Sequence, residues 1–191
     1  MRFFTPELYI RFNSPNEDEA DRAYQEWEKA AEQYAQHLKI FRDRTPSQIQ
    51  RLAELSLHDC LVLSRVEQTQ AGARHFSREF FREFHPALVV PFWYSVAIIT
   101  VKDEGTIRSL IYCLWDNVRV RPQPEGWRFS KEGEHWLYDE IESVTDDRMG
   151  PWGAGYLHRI LLSTGVELEI PFTTLFIHEF SLTKISEPSL G

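Results

Sequence analysis

The sequence predicts an α+β protein in which an N-terminal helical pair packs against a mainly antiparallel β-sheet of six to eight strands. Three Ser/Thr-Pro dipeptides indicate helix starts, because the hydroxyl can cap free N–H groups and proline gives up an N–H that a first turn cannot use. All three lie in the first 46 residues: Thr5-Pro6, Ser14-Pro15 and Thr45-Pro46. After residue 57 the chain becomes aromatic, β-branched and divided by turns. We therefore expect a helical segment over 1–57 and a β-rich part over 58–185, packed as a single domain, with a tail over 186–191.

A long helix is predicted to begin at Pro15, because apolar residues recur there at three- and four-residue spacing as far as Phe41. Acidic residues crowd its first turns and basic residues its last, which suits the helix dipole. Glu17 and Gln48 complete predicted capping boxes with Ser14 and Thr45. A second helix is expected from Pro46 to about Leu57, antiparallel to the first. Residues 5–12 form either a short helix or an extended arm.

The strands are predicted from β-branched and aromatic runs between turn signals. The expected strands cover residues 60–66, 93–101, 106–120 and 174–182, with a hairpin at Thr164-Gly165. After that hairpin Val166, Leu168 and Ile170 alternate with Glu167 and Glu169, which predicts one face toward the core and the glutamates toward water. For residues 77–84 and 136–144 the pattern leaves helix and strand open.

Composition narrows the functional classes. The chain has 191 residues, a net charge of -8 and an aromatic fraction of 14%, which argues against disorder and against non-specific binding to polyanions or anionic membranes. The N-terminus lacks the apolar run of a secretory signal, and no stretch is long enough for a membrane helix, so we expect a cytoplasmic protein. Cys60 and Cys113 are predicted to be buried free thiols. No cofactor fingerprint is present, so no cofactor is expected.

The His58-Asp59 pair is the most suggestive local group. An imidazole beside a carboxylate can serve as a metal ligand or an acid–base pair, and His158 and His178 are candidate further metal ligands. However, adjacent residues on a strand point to opposite faces, so the pair shares one site only if the backbone turns there. The alternative interpretation is that His58 or Asp59 fixes the turn through backbone hydrogen bonds.

Two other motifs carry weaker signals. Gly150-Pro151-Trp152-Gly153-Ala154-Gly155 lacks the Lys-Ser/Thr pair of a phosphate loop, and Asp146-Asp147 precede it, which indicates an ordinary loop. Basic and aromatic residues alternate between 115 and 131 in a pattern that single-stranded nucleic acid can use. Acidic residues lie in the same stretch, so nucleic acid is not the expected partner.

Three segments resemble a family of small uncharacterised bacterial proteins: residues 2–9, Leu57-His58-Asp59 and residues 158–170. That family implies no activity that can be carried over. The closing hairpin is similar to those of small immunity and adaptor-type β domains, which act by binding another protein; this is an analogy of fold.

The sequence thus favours a protein-binding module, of which an immunity-like protein is one form, because it is rich in aromatic residues without a catalytic signature. Trp127, Trp136 and Trp152 lie close to predicted loops and are the candidate contact residues, since aromatic anchors concentrate interface energy. The competing hypothesis is a metal-dependent or acid–base enzyme centred on His58 and Asp59. The expected partner is another protein, and neither a membrane nor nucleic acid.

Overall fold

The computed structural model describes residues 1–68, 95–130, 132–145 and 155–181. Its helices come first: α1 (Pro6–Phe12), α2 (Glu17–Arg42) and α3 (Ser47–Glu54). Seven strands follow within the described ranges: β1 (Leu61–Gln68), β2 (Ser95–Asp103), β3 (Thr106–Leu114), β4 (Arg119–Arg121), β5 (Trp136–Val144), β6 (Gly155–Leu162) and β7 (Glu167–Ser181). The fold is therefore a mixed α+β fold whose helices precede the sheet, as the sequence predicted at this level.

The strands form one antiparallel sheet in the order β1-β2-β3-β7-β6-β5, and the short β4 pairs with β7 beside the end of β3. The sheet curls until its two ends meet. There the Asp59 amide donates to the Trp136 carbonyl (2.7 Å), the Trp136 amide to the Cys60 carbonyl (2.9 Å) and the Val62 amide to the Glu134 carbonyl (2.7 Å). This curl gives the sheet a concave inner face on which the main core is built.

Alternate residues of each strand fill that inner face, as the two-residue period of a strand requires. Its fully or almost fully buried members include Val101, Leu110, Ile160, Phe172 and Leu175. Helix α3 closes one side of the core, with Ile49 and Leu52 each exposed by no more than 2%. Burying each such side chain contributes about 1.5–3 kcal/mol. Helix α3, together with Phe41 of α2, is therefore part of the same core as the sheet.

The N-terminal arm is fixed to the outer face of β5 by one buried carboxylate. Glu140, only 3% exposed, accepts hydrogen bonds from the backbone amides of Arg2 (2.7 Å), Phe3 (2.6 Å) and Phe4 (2.7 Å). Hydrogen bonds to a charged carboxylate are roughly twice as strong as those between neutral groups. Beyond the arm, α1 lies against α2 through the Arg11–Glu26 ion pair (2.6 Å).

Several predicted details are wrong. The helix that runs beside α2 is α1, whereas the sequence predicted α3 as its antiparallel partner. The predicted return strand over 106–120 is divided into β3 and β4, because the chain leaves β3 after Leu114 and rejoins the edge of β7 at Arg119. Residues 136–144 form strand β5, which settles one open alternative, and 77–84 lie outside the described residues.

The predicted exposure of two glutamates is also wrong. Glu167 and Glu169 alternate with core residues as expected, but each is only 4% exposed. The face they occupy is covered rather than open to water. Glu167 forms an ion pair with the amino group of Met1 (2.5 Å), and Glu169 one with Arg159 (3.1 Å). A strict alternation indicates which side a residue faces, but not what covers that side.

Candidate functional site

The His58–Asp59 junction forms a sharp turn before β1. Asp59 has φ = 63°, in the left-handed region that Asp enters more readily than most residues. This turn brings His58 Nε2 to 3.4 Å from Asp59 Oδ2, and both side chains are half exposed. The condition that the sequence left open is thus met, because the imidazole and the carboxylate lie together at the surface.

The His58 ring also covers part of the free edge of β5. Its Nδ1 donates a hydrogen bond to the backbone carbonyl of Leu137. Further along the strand the Ile141 amide donates to the Tyr34 hydroxyl (3.0 Å), and the Ile141 carbonyl accepts from His37 Nε2 (2.8 Å). Side chains thereby take the place of a neighbouring strand, which is one way proteins protect a sheet edge. This geometry favours the structural interpretation of His58.

His158 lies inside the curled sheet and is fully buried. Its Nδ1 accepts from the Tyr112 hydroxyl (2.9 Å), its Nε2 lies 3.1 Å from Asp139 Oδ2, and Trp136 Nε1 donates to Asp139 Oδ1 (3.0 Å). Burial, together with the charge of Asp139, raises the pKa of Tyr112 well above its ordinary value, so the phenol remains a hydrogen-bond donor. Both ring nitrogens of His158 therefore have partners within the core.

The three candidate metal-ligating histidines are not brought into one site. His178 lies opposite Ser109 on the outer face of β7, because its neighbour Ile177 packs toward the core. His158 is inside the sheet and His58 is at its rim. Within residues 1–68, 95–130, 132–145 and 155–181, no group of three or more His, Cys, Asp or Glu side chains is placed to hold a metal ion.

The tryptophans predicted as contact residues are buried where the structure describes them. Trp136 is fully buried, and Trp127 is 9% exposed. Trp127 stacks on Tyr9 with the ring centroids 5.3 Å apart, and its Nε1 donates to the Ser163 carbonyl (3.0 Å). Burial is at odds with the prediction that these two rings face a partner, and Trp152 lies outside the described residues.

Two arginines of the aromatic segment are paired with carboxylates. Arg119 contacts Asp116 (3.1 Å), and Arg121 contacts Glu169 (2.9 Å). Glu169 also forms an ion pair with Arg159. Burial by itself raises the pKa of Glu169, but its hydrogen bond with Arg159 and the charges of both arginines outweigh burial and lower the pKa below its ordinary value. Two of the basic residues in this pattern, Arg119 and Arg121, are thus neutralised by ion pairs within the chain.

A different site appears where the curled sheet is incompletely closed. A pocket of about 240 Å³ opens between β1 and β4, and we call it the β1–β4 slot. Its floor consists of core-facing residues of β2 and β7: Ala97, Ile99, Leu168 and Ile170. Val66 and Val120 stand at the rim, and their exposed fractions of 53% and 61% are high for apolar side chains. The slot therefore connects the apolar core with the surface.

Two strand edges border the slot. One border of the slot is β1. One edge of β1 pairs with β2, and its other edge pairs with residues 134–136 only as far as Val62. The chain leaves that edge at Gly133, whose φ of 80° turns it away. From Ser64 to Glu67 no described residue pairs with this edge of β1 through its backbone. On the other border β4 pairs with β7 by one edge alone among the described strands.

Sequence reasoning missed this site because its apolar residues are few and scattered. Val118 and Val120 alternate with Arg119 and Arg121, a pattern typical of a short strand with one apolar face. That signal was absorbed into a single predicted strand over 106–120. Its consequence is visible only in the fold, where Val120 and Val66 come to border the same opening.

The comparisons with protein families and with curated proteins identify no relative. No protein-family model matches the chain, and no curated protein matches its sequence. The resemblance to small uncharacterised bacterial proteins therefore stays a prediction. Among the described helices, none is long and apolar enough to cross a membrane.

Proposed function

We propose that this chain is a protein-binding module and that the β1–β4 slot is its contact site. The observation that carries the proposal is an apolar opening into the core that is rimmed by exposed valines. Val66 and Val120 leave more than half of their surface exposed, although the chain has a large core in which to bury them. Contiguous exposed apolar surface in a folded protein is typical of an interaction site.

The contrast between the covered edge of β5 and the edge beside the slot supports this assignment. At β5 the side chains of Tyr34, His37 and His58 satisfy backbone groups that would otherwise be free to recruit a strand. At the slot, by contrast, the described residues supply a single side-chain cap, the hydrogen bond from the Val118 amide to Glu67 Oε1 (3.1 Å). Within the described ranges, the uncovered edge is thus the edge beside an apolar pocket.

The test is capture of a partner from lysate by purified wild-type protein and by two slot variants, Val66→Asp and Val120→Asp. Both positions are exposed, so a charge there should leave the free energy of unfolding within about 1 kcal/mol of wild type. The proposal predicts a stoichiometric partner whose capture falls at least tenfold in either variant.

Ile40→Asp is the matched control, because Ile40 is 59% exposed on α2 and lies away from the slot residues. It should capture the partner as wild type does. Equal capture by all four proteins, or loss only in Ile40→Asp, would contradict the assignment of the slot.

The alternative function, acid–base chemistry at His58 and Asp59, has one observation in its favour, the 3.4 Å approach of their half-exposed side chains. His58→Gln separates the two hypotheses. The slot proposal predicts unchanged partner capture and a modest loss of stability from the lost bond to Leu137, whereas the enzyme hypothesis predicts loss of a turnover that wild type performs.

A further inference from the structure

The shape of the slot points to a particular kind of partner. We propose that the bound partner segment is an extended strand that pairs with the β1 edge between Ser64 and Glu67 and places alternate apolar side chains on the slot floor. This inference rests on the proposed function and names the way in which that same site binds.

A strand at this edge would continue a pairing that the chain already makes. Residues 134–136 lie antiparallel along the start of β1, with hydrogen bonds at Asp59, Cys60 and Val62. The same edge continues to Glu67, but the described residues supply no further strand there, since the chain turns away at Gly133. Four residues of edge remain, which is about 13 Å at the rise of a β-strand. A partner strand would extend an existing ladder.

The apolar floor of the slot also suits an extended strand. A strand bound at this edge turns every second side chain inward, where it meets Ala97, Ile99, Leu168 and Ile170. The four floor residues offer apolar contacts, whereas Arg65 and Glu67 of β1 lie opposite Ile99 and Ala97 and add charge beside the floor. Directly above the floor, β-branched or small aromatic side chains fit best. Val120 of β4 would cover the far side of the added strand. Backbone bonds then supply affinity, and the alternate apolar side chains supply specificity.

Backbone pairing makes the inference testable with peptides alone, before a partner is identified. A phage-displayed library of randomised peptides is selected on the full-length wild-type chain, and the Val66→Asp variant serves as the counter-screen. Each peptide is about nine residues long, so that it spans the free edge with a margin at both ends. We expect enriched peptides with apolar, β-branched or aromatic residues at every second position and without proline in the middle. Synthetic versions should lose at least tenfold in affinity when alternate amides in one register are N-methylated, and little in the other register.

Three results would overturn the inference: no peptide enriched over the counter-screen, enriched peptides with apolar residues three and four apart, or affinities indifferent to N-methylation in both registers. A concentration-dependent dimer of the chain that Val66→Asp abolishes would also overturn it, because a second copy would then occupy the slot. The proposed function fails separately, when partner capture from lysate does not depend on Val66 or Val120.

Discussion

Two buried carboxylates hold the N-terminal arm against the sheet. Glu140 accepts hydrogen bonds from three consecutive backbone amides of the N-terminal arm, and Glu167 forms an ion pair with the amino group of Met1. A buried donor that loses its acceptor costs about 1–3 kcal/mol. Three such donors meet on Glu140, so this carboxylate contributes substantially to holding the arm in place.

Replacing Glu140 tests this directly. Glu140→Gln keeps the shape of the side chain but removes the charge and one acceptor oxygen, so we expect the free energy of unfolding to fall by about 2–4 kcal/mol. Urea denaturation followed by tryptophan fluorescence measures the change. Glu142→Gln is the control, because Glu142 lies two residues away and forms only a partly exposed ion pair with Arg159; its loss should cost about 1 kcal/mol or less.

Glu169 makes stability depend on pH. Its pKa is lowered in the folded protein, so its contribution is present above its ordinary pKa of 4.5 and is lost as the pH falls through the folded value. Wild type should therefore lose stability on acidification below about pH 5, and Glu169→Gln should lose less over the same range. Parallel slopes of unfolding free energy against pH for the two proteins would contradict this assignment.

The thiols provide a further residue-scale prediction. Burial raises the pKa of Cys113 to about 11 and also raises that of Cys60. At pH 8 about one Cys113 side chain in a thousand is then a thiolate, the form that reacts. We expect neither thiol to react with Ellman's reagent within minutes in the folded protein, and both to react at once in urea. Prompt reaction of one thiol in the native state would show that it is accessible.

At the scale of elements, tight turns set where strands begin and end. Gly126 and Gly165 both have φ near 80°, so each turn needs a residue that tolerates the left-handed region. Their surroundings differ. A Cβ at Gly126 would meet nothing within 4 Å, whereas a Cβ at Gly165 would lie 2.7 Å from the Trp127 ring.

This difference gives a matched pair of substitutions. Gly126→Ala should cost about 1 kcal/mol, which is the cost of the backbone conformation alone. Gly165→Ala should cost clearly more, because the ring of Trp127 has to shift from its contact with Tyr9. Thermal unfolding of the two variants measures the costs, and Trp127 fluorescence checks the shift. Equal losses in both would mean that the hairpin does not rely on that contact.

The elements were predictable to different degrees, for physical reasons that particular residues illustrate. Thr5 caps α1 as predicted, with its hydroxyl accepting from the Leu8 amide (3.2 Å). The caps predicted at Ser14 and Thr45 are wrong: Asn16 caps α2, and α3 has no side-chain cap. Several residues near a helix start can serve as its cap, and the choice depends on how the preceding loop packs. The Thr164-Gly165 hairpin was predictable because its turn and its alternation are local signals.

The candidate site was far less predictable. The pairing of His58 with Asp59 depends on one left-handed residue, and the partners of His158 come from strands distant in sequence. The slot depends on the curl of the entire sheet, which brings Val66 and Val120 together across 54 positions of the chain. Such contacts arise from topology, and composition or periodicity does not encode them in any single segment.

At the scale of the whole molecule, the described fold is a curled sheet that closes at one end through 59–62 and 134–136 and remains open at the other beside β4. Helices α1 and α2 and the N-terminal arm lie over the outer face of β5, and side chains of α2 satisfy the strand edge there. The central claim is that the remaining open edge is the one that binds. A strand bound at this edge would form hydrogen bonds with backbone amides of residues 64–67, so its binding can be measured at those amides.

The most direct measurement is hydrogen exchange of the full-length chain, free and bound to the captured partner, resolved to residues 64–67. In the free protein we expect the outward amides of this segment to exchange quickly, while the amide of Ile141 is protected by Tyr34. Binding should slow exchange at 64–67 and leave Ile141 unchanged. Slowing that is confined to α1, α2 or the His58 turn, with 64–67 unaffected, would contradict the account.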